Sequence, residues 1–243
     1  MTVAWVDGAP VSLADVDSRE IELRTGPVAP ILPRERTGEG RQLRRWLVQV
    51  LVAERLVTAE AEGLSDAPPL AEIAPDRAAL LGLGSVAADL LTRNPLARAV
   101  FMKVTSSVRV PASAVEGFYD RNPERFRVPE ERVVRHAMRR RVLRRGELTG
   151  PVEDAVFAAG VGEVVGPVRD PLGTHTLVVE EIRPARMRPL DEVHDAITAQ
   201  LLAAARRRAF TAWLDERMVT RVRLAPGYEH PGDPNQPDNT HRH

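Results

Sequence analysis

The sequence contains no cysteine. That excludes disulfides, thiol nucleophiles, iron–sulfur clusters, Cys-ligated zinc and a lipid anchor on cysteine. Aromatic residues fill only 4% of 243 positions, and Lys+Arg and Asp+Glu are equal at 34 each. A formally neutral chain has no global field to draw it onto nucleic acid or anionic lipid, and so few aromatics leave little to stack on bases. Neither nucleic acid nor membrane is expected as a partner. Lysine is nearly absent: Lys103 stands alone among 34 basic residues. This arginine bias, with abundant Ala, Val and Pro, reads as GC-rich coding and not as function. No apolar run approaches the roughly 20 residues that span a bilayer. Residues 1–8 hold no basic segment and reach a turn before an apolar stretch of signal-peptide length forms, so a cytoplasmic location is expected.

Motifs of common catalytic classes are missing too. No Walker or dinucleotide fingerprint occurs. Gly82-Leu83-Gly84-Ser85 lacks the second glycine of a nucleophile elbow and falls in a predicted helix, which disfavours an α/β-type acyltransferase. His230, His241 and His243 sit in a Pro-rich polar tail, expected to be disordered from residue 225, where no fixed ligand geometry can form. Neither a metal nor a cofactor is expected.

What is present suits a globular protein: 43% apolar against 28% charged residues can fill a core and cover it, and the length fits one large domain or two small ones. Val3 to Val6, closed by Asp7-Gly8-Ala9-Pro10, reads as a strand and turn, after which Ser12 can cap a helix carrying Ile21 and Leu23. Prolines and glycines break residues 25–40. Residues 41–62 form the clearest helix, with Leu43, Trp46, Leu47, Val50, Leu51 and Val57 on one buried face and Arg44, Arg45 and Glu54 elsewhere. Residues 77–105 read as one or two helices interrupted at Asn94-Pro95.

Val110-Pro111 opens a further helix with Val115, Phe118 and Tyr119 on its apolar face. A strand over 132–138, an Arg-rich bend, a helix over 152–159 and strands over 164–169 and 174–181 follow, the last two flanking the turn Asp170-Pro171-Leu172-Gly173. After a linker between Pro184 and Pro189, residues 190–218 form a long helix with Val193, Ile197, Leu201, Phe210, Trp213 and Leu214 inward, expected to pack on the N-terminal helices.

In this order the segments resemble the parvulin prolyl isomerases of SurA- or PrsA-like chaperone architecture. Residues 113–136, SAVEGFYDRNPERFRVPEERVVRH, resemble the entry into their isomerase module. Residues 145–182, RGELTGPVEDAVFAAGVGEVVGPVRDPLGTHTLVVEEI, resemble its second half. The resemblance implies an α+β fold in which a helical chaperone-like lobe frames a small, truncated parvulin-like module. The implied domains are a helical N-terminal region over 1–110, the module over 111–184, a closing helix over 185–224 and the tail.

Twisting an X-Pro bond crosses a barrier of about 18–20 kcal/mol, and no cofactor is needed to lower it. The resemblance implies an apolar pocket for the proline ring beside two histidines and a Cys or Asp. The histidines map to His136 and His175. The chain passes from His136 almost directly to the matching Arg145, however, so no residue maps to the Cys or Asp. The implied substrate-binding positions are Leu148, Val152, Phe157, Leu172 and Thr174, with Phe157 falling on a core position. Catalysis is accordingly expected to be weak or lost, and the two histidines can equally serve to hold the module folded.

Arg139, Arg140, Arg141, Arg144 and Arg145 cluster in the shortened loop, where they can meet a protein partner or simply balance Glu130, Glu131 and Glu147. Two functional readings stay open: a chaperone or foldase for unfolded or proline-containing clients, and an accessory scaffold for one dedicated partner such as a polyketide-type biosynthetic assembly line. The wide apolar helix faces leave a homodimer open as well.

Overall fold

The structure is a computed structural model that describes residues 1–229; His230, His241 and His243 lie outside the described residues. It begins with strands β1 (Thr2–Val6) and β2 (Ala9–Ser12), followed by helices α1 (Leu13–Thr25), α2 (Gly38–Glu60), α3 (Leu70–Ile73), α4 (Arg77–Leu81), α5 (Ser85–Arg93), α6 (Pro95–Val104) and α7 (Ala112–Arg121). Next come strands β3 (Arg127–Val128), β4 (Glu131–His136) and β5 (Arg139–Arg144), helix α8 (Pro151–Ala158) and strands β6 (Val164–Asp170), β7 (Gly173–Arg183) and β8 (Arg186–Met187). The long helix α9 (Leu190–Arg221) and strand β9 (Val222–Leu224) complete the described elements of this mixed α+β fold. Among the described residues no helix is long and apolar enough to cross a membrane. The chain divides into two compact units, Met1–Arg109 with the chain from Leu202, and Val110–Leu201.

In the first unit, Ser12 and Asp15 close a capping box at the start of α1: Ser12 Oγ accepts from Asp15 N at 3.1 Å, and Asp15 Oδ2 accepts from Ser12 N at 2.9 Å. Val16 and Leu23 of α1 point inward, whereas Ile21 is exposed. Helix α2 is buried on more than the one face its spacing predicts, because Val48, Val52, Ala53 and Leu56 are as fully enclosed as Leu47 and Val50. A helix apolar on most sides is a central helix, and α2 is touched by α1, α5, α6 and β1.

Arg45, placed outside by the helical pattern, is 5% exposed, and its Nε donates to Gly227 O at 3.2 Å. That bond corrects the expectation of disorder from residue 225 onward. Ala225 is buried, its N–H donates to Val3 O at 2.9 Å, and Tyr228 packs on the core; the rest of the tail lies outside the described residues. Strand β9, unforeseen in the sequence, pairs antiparallel with β1 in a sheet of order β2-β1-β9.

The second unit holds a four-stranded antiparallel sheet of order β5-β4-β7-β6. Helix α8 packs Val152, Val156 and Phe157 against Val134, Leu143, Val165, Leu177 and Val179 of this sheet. A second small core gathers Val115 and Phe126 with Val193 and Ile197, and the Tyr119 and Phe126 rings stack at 4.9 Å. The closing helix therefore does not pack as a whole on the N-terminal helices. Its residues Leu190, Val193, Ile197 and Leu201 pack within the second unit, and Phe210 and Leu214 within the first. The division falls inside α9 at Leu201, not in the proline linker near residue 184.

The Arg-rich bend is also corrected. It is an edge strand, β5, joined to β4 by a two-residue turn at Ala137-Met138 with Ala137 at φ +53°. Only Leu143 of β5 is buried, so its alternation is hidden in a run of arginines. Charged side chains on an edge strand also deter pairing with other chains.

Candidate functional site

His136 ends β4 and His175 stands near the start of β7. In the register His136 faces Leu177, two residues along β7 from His175, so alternation puts both imidazoles on the face that carries Val134 and Leu177. Their ring centroids are 5.4 Å apart at an interplanar angle of 48°. The apolar contacts with α8 lie on this same face, so the pair sits at the margin of a packed core.

The position of His175 depends on β6. Pairing between β6 and β7 slips between Val165 and Val168, where Gly166 takes φ +123° and its Cα faces the His175 carbonyl so closely that a Cβ would come within 2.4 Å of that oxygen. Such a bulge re-aims the strand beside it. The turn that follows supplies the third polar group. Asp170 Oδ1 lies 2.8 Å from His175 Nε2 and accepts from Leu172 N at 2.7 Å. A carboxylate can only accept, so Nε2 carries the hydrogen. The His175 hydrogen bond holds the Asp170 carboxyl below its ordinary 3.8, against a smaller opposing effect of burial.

The sequence missed Asp170, although its signal was there: an aspartate opening a turn can cap that turn with its own side chain and be fixed in place. No residue between His136 and Arg145 supplies an acid, because the two-residue turn leaves no room for one. The carboxylate beside the histidines comes from the opposite end of the module's sequence.

The implied substrate-binding positions are not gathered into one wall. Val152 and Phe157 are buried in the α8 core, at 9% and 6% exposure, Phe157 at the core position its sequence match implies. Leu172 is 90% exposed, and Thr174 and Leu148 are also exposed. The Arg132 guanidinium lies over the Phe157 ring at 5.6 Å and that of Arg145 at 4.6 Å, so the ring already has two cations of the protein itself against it.

Of the arginines, Arg140 pairs with Glu180 at 2.8 Å, Arg144 with Glu131 at 3.0 Å and Arg145 with Glu130 at 2.8 Å. Among the described residues the side chains of Arg139 and Arg141 make no ion pair or hydrogen bond, and both are exposed. Arg139 is opposite His136 in the register, and Arg141 is opposite Val134. Both therefore share the face of the histidines. No three metal-ligating side chains come together among the described residues.

Residues 138–195 match the family model of the PPIC-type PPIASE domain, the parvulin class of prolyl isomerase module. The match begins two residues after His136 and includes His175. Residues 2–39 match a second family, DUF7158, whose function is unknown. Among solved structures, the chain is similar to two SurA-like chaperones of Campylobacter jejuni, from a study of the virulence factor PEB4 and the periplasmic protein Cj1289. One shows 16% identity, a TM-score of 0.46 and coverage of 90% of this chain and 98% of that one. The other shows 11% identity, a TM-score of 0.41 and coverage of 92% and 99%. The foldase protein PrsA of Lactococcus lactis follows at 8% identity and a TM-score of 0.27, covering 93% and 95%. No curated protein matches the sequence.

Proposed function

We propose that the protein is a foldase-type chaperone whose parvulin module binds unfolded or proline-containing segments with little or no acceleration of isomerisation. One observation carries this reading: His136 on β4 and His175 on β7 face each other 5.4 Å apart, beside or within the segment that matches the PPIC-type domain, while the β4–β5 hairpin that follows His136 is closed by only two residues. The fold of the module and its exposed Leu172 and Met138 remain to meet a peptide. The position from which the family's Cys or Asp would act does not.

Asp170 does not restore that position. Its Oδ1 already accepts from His175 and from the turn it caps, so that oxygen serves the protein before any substrate arrives. Transition-state stabilisation needs donors or acceptors held free for the twisted amide.

Exchange spectroscopy by NMR on an Ala-Pro peptide with a catalytic amount of protein tests the proposal. Uncatalysed interconversion takes tens to hundreds of seconds, so exchange peaks on the second timescale report catalysis alone. Binding shifts without exchange peaks support the proposal. Exchange peaks that vanish in His136→Ala would make the protein an enzyme and overturn the statement on catalysis.

A second reading, a scaffold for one dedicated partner, rests on Arg139 and Arg141. Two exposed guanidinium groups without partners among the described residues, on an edge strand, suit an acidic surface. Recovery of one stoichiometric partner, lost in an Arg139→Ala/Arg141→Ala variant, favours the scaffold. A broad client set favours the chaperone.

A further inference from the structure

The first unit contains an open cavity of about 670 Å³, whose lining includes Gln49 of α2, Gly84 and Ser85 at the start of α5, and Leu214, Met218 and Val219 of α9. Its size falls within the roughly 300–1,000 Å³ of small-molecule sites. Three features of this cavity point the same way.

Gln49 is 3% exposed, and its Nε2 has no hydrogen-bond partner among the described residues. A buried carboxamide donor in an otherwise apolar helix segment needs an acceptor, and α2 around it offers only Val48, Val50, Val52 and Ala53. Helix α5 supplies the second feature. It begins at Ser85 after Gly84, which stands at φ +78° with open space where a Cβ would sit, and no side chain caps it. Its first N–H groups have no intrahelical acceptor and carry the positive end of the helix dipole. The third feature is the wall: Val219 is 82% exposed beside Leu214 and Met218, an apolar rim left in water.

We propose that this cavity binds a small amphipathic molecule, an apolar chain ending in a carboxylate. Gln49 Nε2 and the N–H groups opening α5 receive the head group, and Leu214, Met218 and Val219 cover the chain. Asp215 also lines the cavity and is exposed. Its charge opposes that of the ligand, screened by water and salt over about 8 Å at physiological ionic strength. The site belongs to the first unit and is independent of the parvulin module. It also gives a place to Gly84-Ser85, which stands at the α4–α5 junction and not inside a helix as its sequence context suggests.

Isothermal titration of the full chain with sodium decanoate and with 1-decanol, both below their aggregation limits, tests the proposal. Decanoate is expected to bind saturably, and 1-decanol about tenfold more weakly, the factor expected when a charge-assisted hydrogen bond is lost. Gln49→Leu replaces the unpaired amide with an apolar group of similar size. It is expected to weaken decanoate about tenfold while leaving the thermal midpoint unchanged or raised. Asp215→Asn is expected to tighten decanoate a few-fold and leave 1-decanol alone. Val219→Trp alters an exposed residue, so it can block the mouth without unfolding the core, and is expected to abolish binding of both. Absence of saturable heat with decanoate, equal affinity for the acid and the alcohol, or unchanged affinity in Val219→Trp would overturn the proposal. A lowered midpoint in Gln49→Leu would overturn the claim that its amide lacks a partner.

Discussion

Asp170 Oδ1 reaches His175 Nε2 at 2.8 Å while accepting from Leu172 N at 2.7 Å, so one carboxylate both closes the β6–β7 turn and fixes one of two facing imidazoles. A carboxylate cannot donate, so neutral His175 must hold its proton on Nε2 and present Nδ1 as an acceptor. Two-bond ¹H–¹⁵N correlation of the imidazole ring should show the Nε2–H tautomer alone. Asp170→Ala should give a mixture of tautomers with faster motion of the ring. An Nδ1–H tautomer in the unaltered protein would mean that the Asp170 contact does not form.

Acid should loosen the second unit at the start of α9. Glu192 is held at about 2, well below its ordinary 4.5, first by the hydrogen bond from Arg186 and then by that from Arg188. A depressed carboxylate contributes stability that is complete above its unfolded pKa and is lost as the pH falls through the folded one. For Glu192 that window runs from 4.5 down to about 2. Denaturant unfolding should separate Glu192→Gln from the unaltered protein at about pH 5, and the two should converge near pH 2. Asp170, lowered for the same kind of reason by His175, acts in the same direction below 3.8. The Glu192 pairs with Arg186 and Arg188 are exposed, so their effect should shrink in high salt.

What the sequence revealed and what it hid follow from how each feature is encoded. The capped helix after Ser12, the break at Asn94-Pro95 and the strands on either side of Asp170-Pro171-Leu172-Gly173 are written locally, in caps, prolines and alternation. The facing of His136 and His175 came from resemblance, since no local pattern links residues on two strands. Strand β5 was hidden because a single inward residue, Leu143, gives no alternation to count. Burial of Arg45 and the pairing of β9 with β1 were hidden for a different reason: both depend on partners far away in the chain, Gly227 and Ala4 to Val6. The Asp170 contact is local, but its meaning appears only once His175 is placed by the strand that follows.

Phe157 and Leu172 should separate structure from binding. Phe157 is buried in the α8 core beneath Arg132 and Arg145, and Arg132 Nη2 donates to its carbonyl at 2.9 Å. Phe157→Ala should cost about 3–5 kcal/mol of the second unit's stability, measured by chemical denaturation. Leu172 is 90% exposed, and Leu172→Ala should change stability by less than about 0.5 kcal/mol. Any loss of peptide binding in Leu172→Ala is therefore direct, whereas the same loss in Phe157→Ala would follow unfolding.

Gly166→Ala should disturb the histidine pair without touching either ring. The residue stands at φ +123°, where a side chain is strained whatever the space around it, and its Cβ would lie 2.4 Å from His175 O and 3.1 Å from Thr176 Cα. Both neighbours are backbone in a paired strand, so neither can swing aside as a side-chain tip would. Relief requires β7 to move from β6, and His175 moves with it relative to His136 on β4. The strain alone should cost about 1–3 kcal/mol, and the clash adds to it. Thermal unfolding measures the loss, and the ring resonances of His136 and His175 report the displacement. A stable variant with both sets of resonances unchanged would show that the bulge at Gly166 does not position His175.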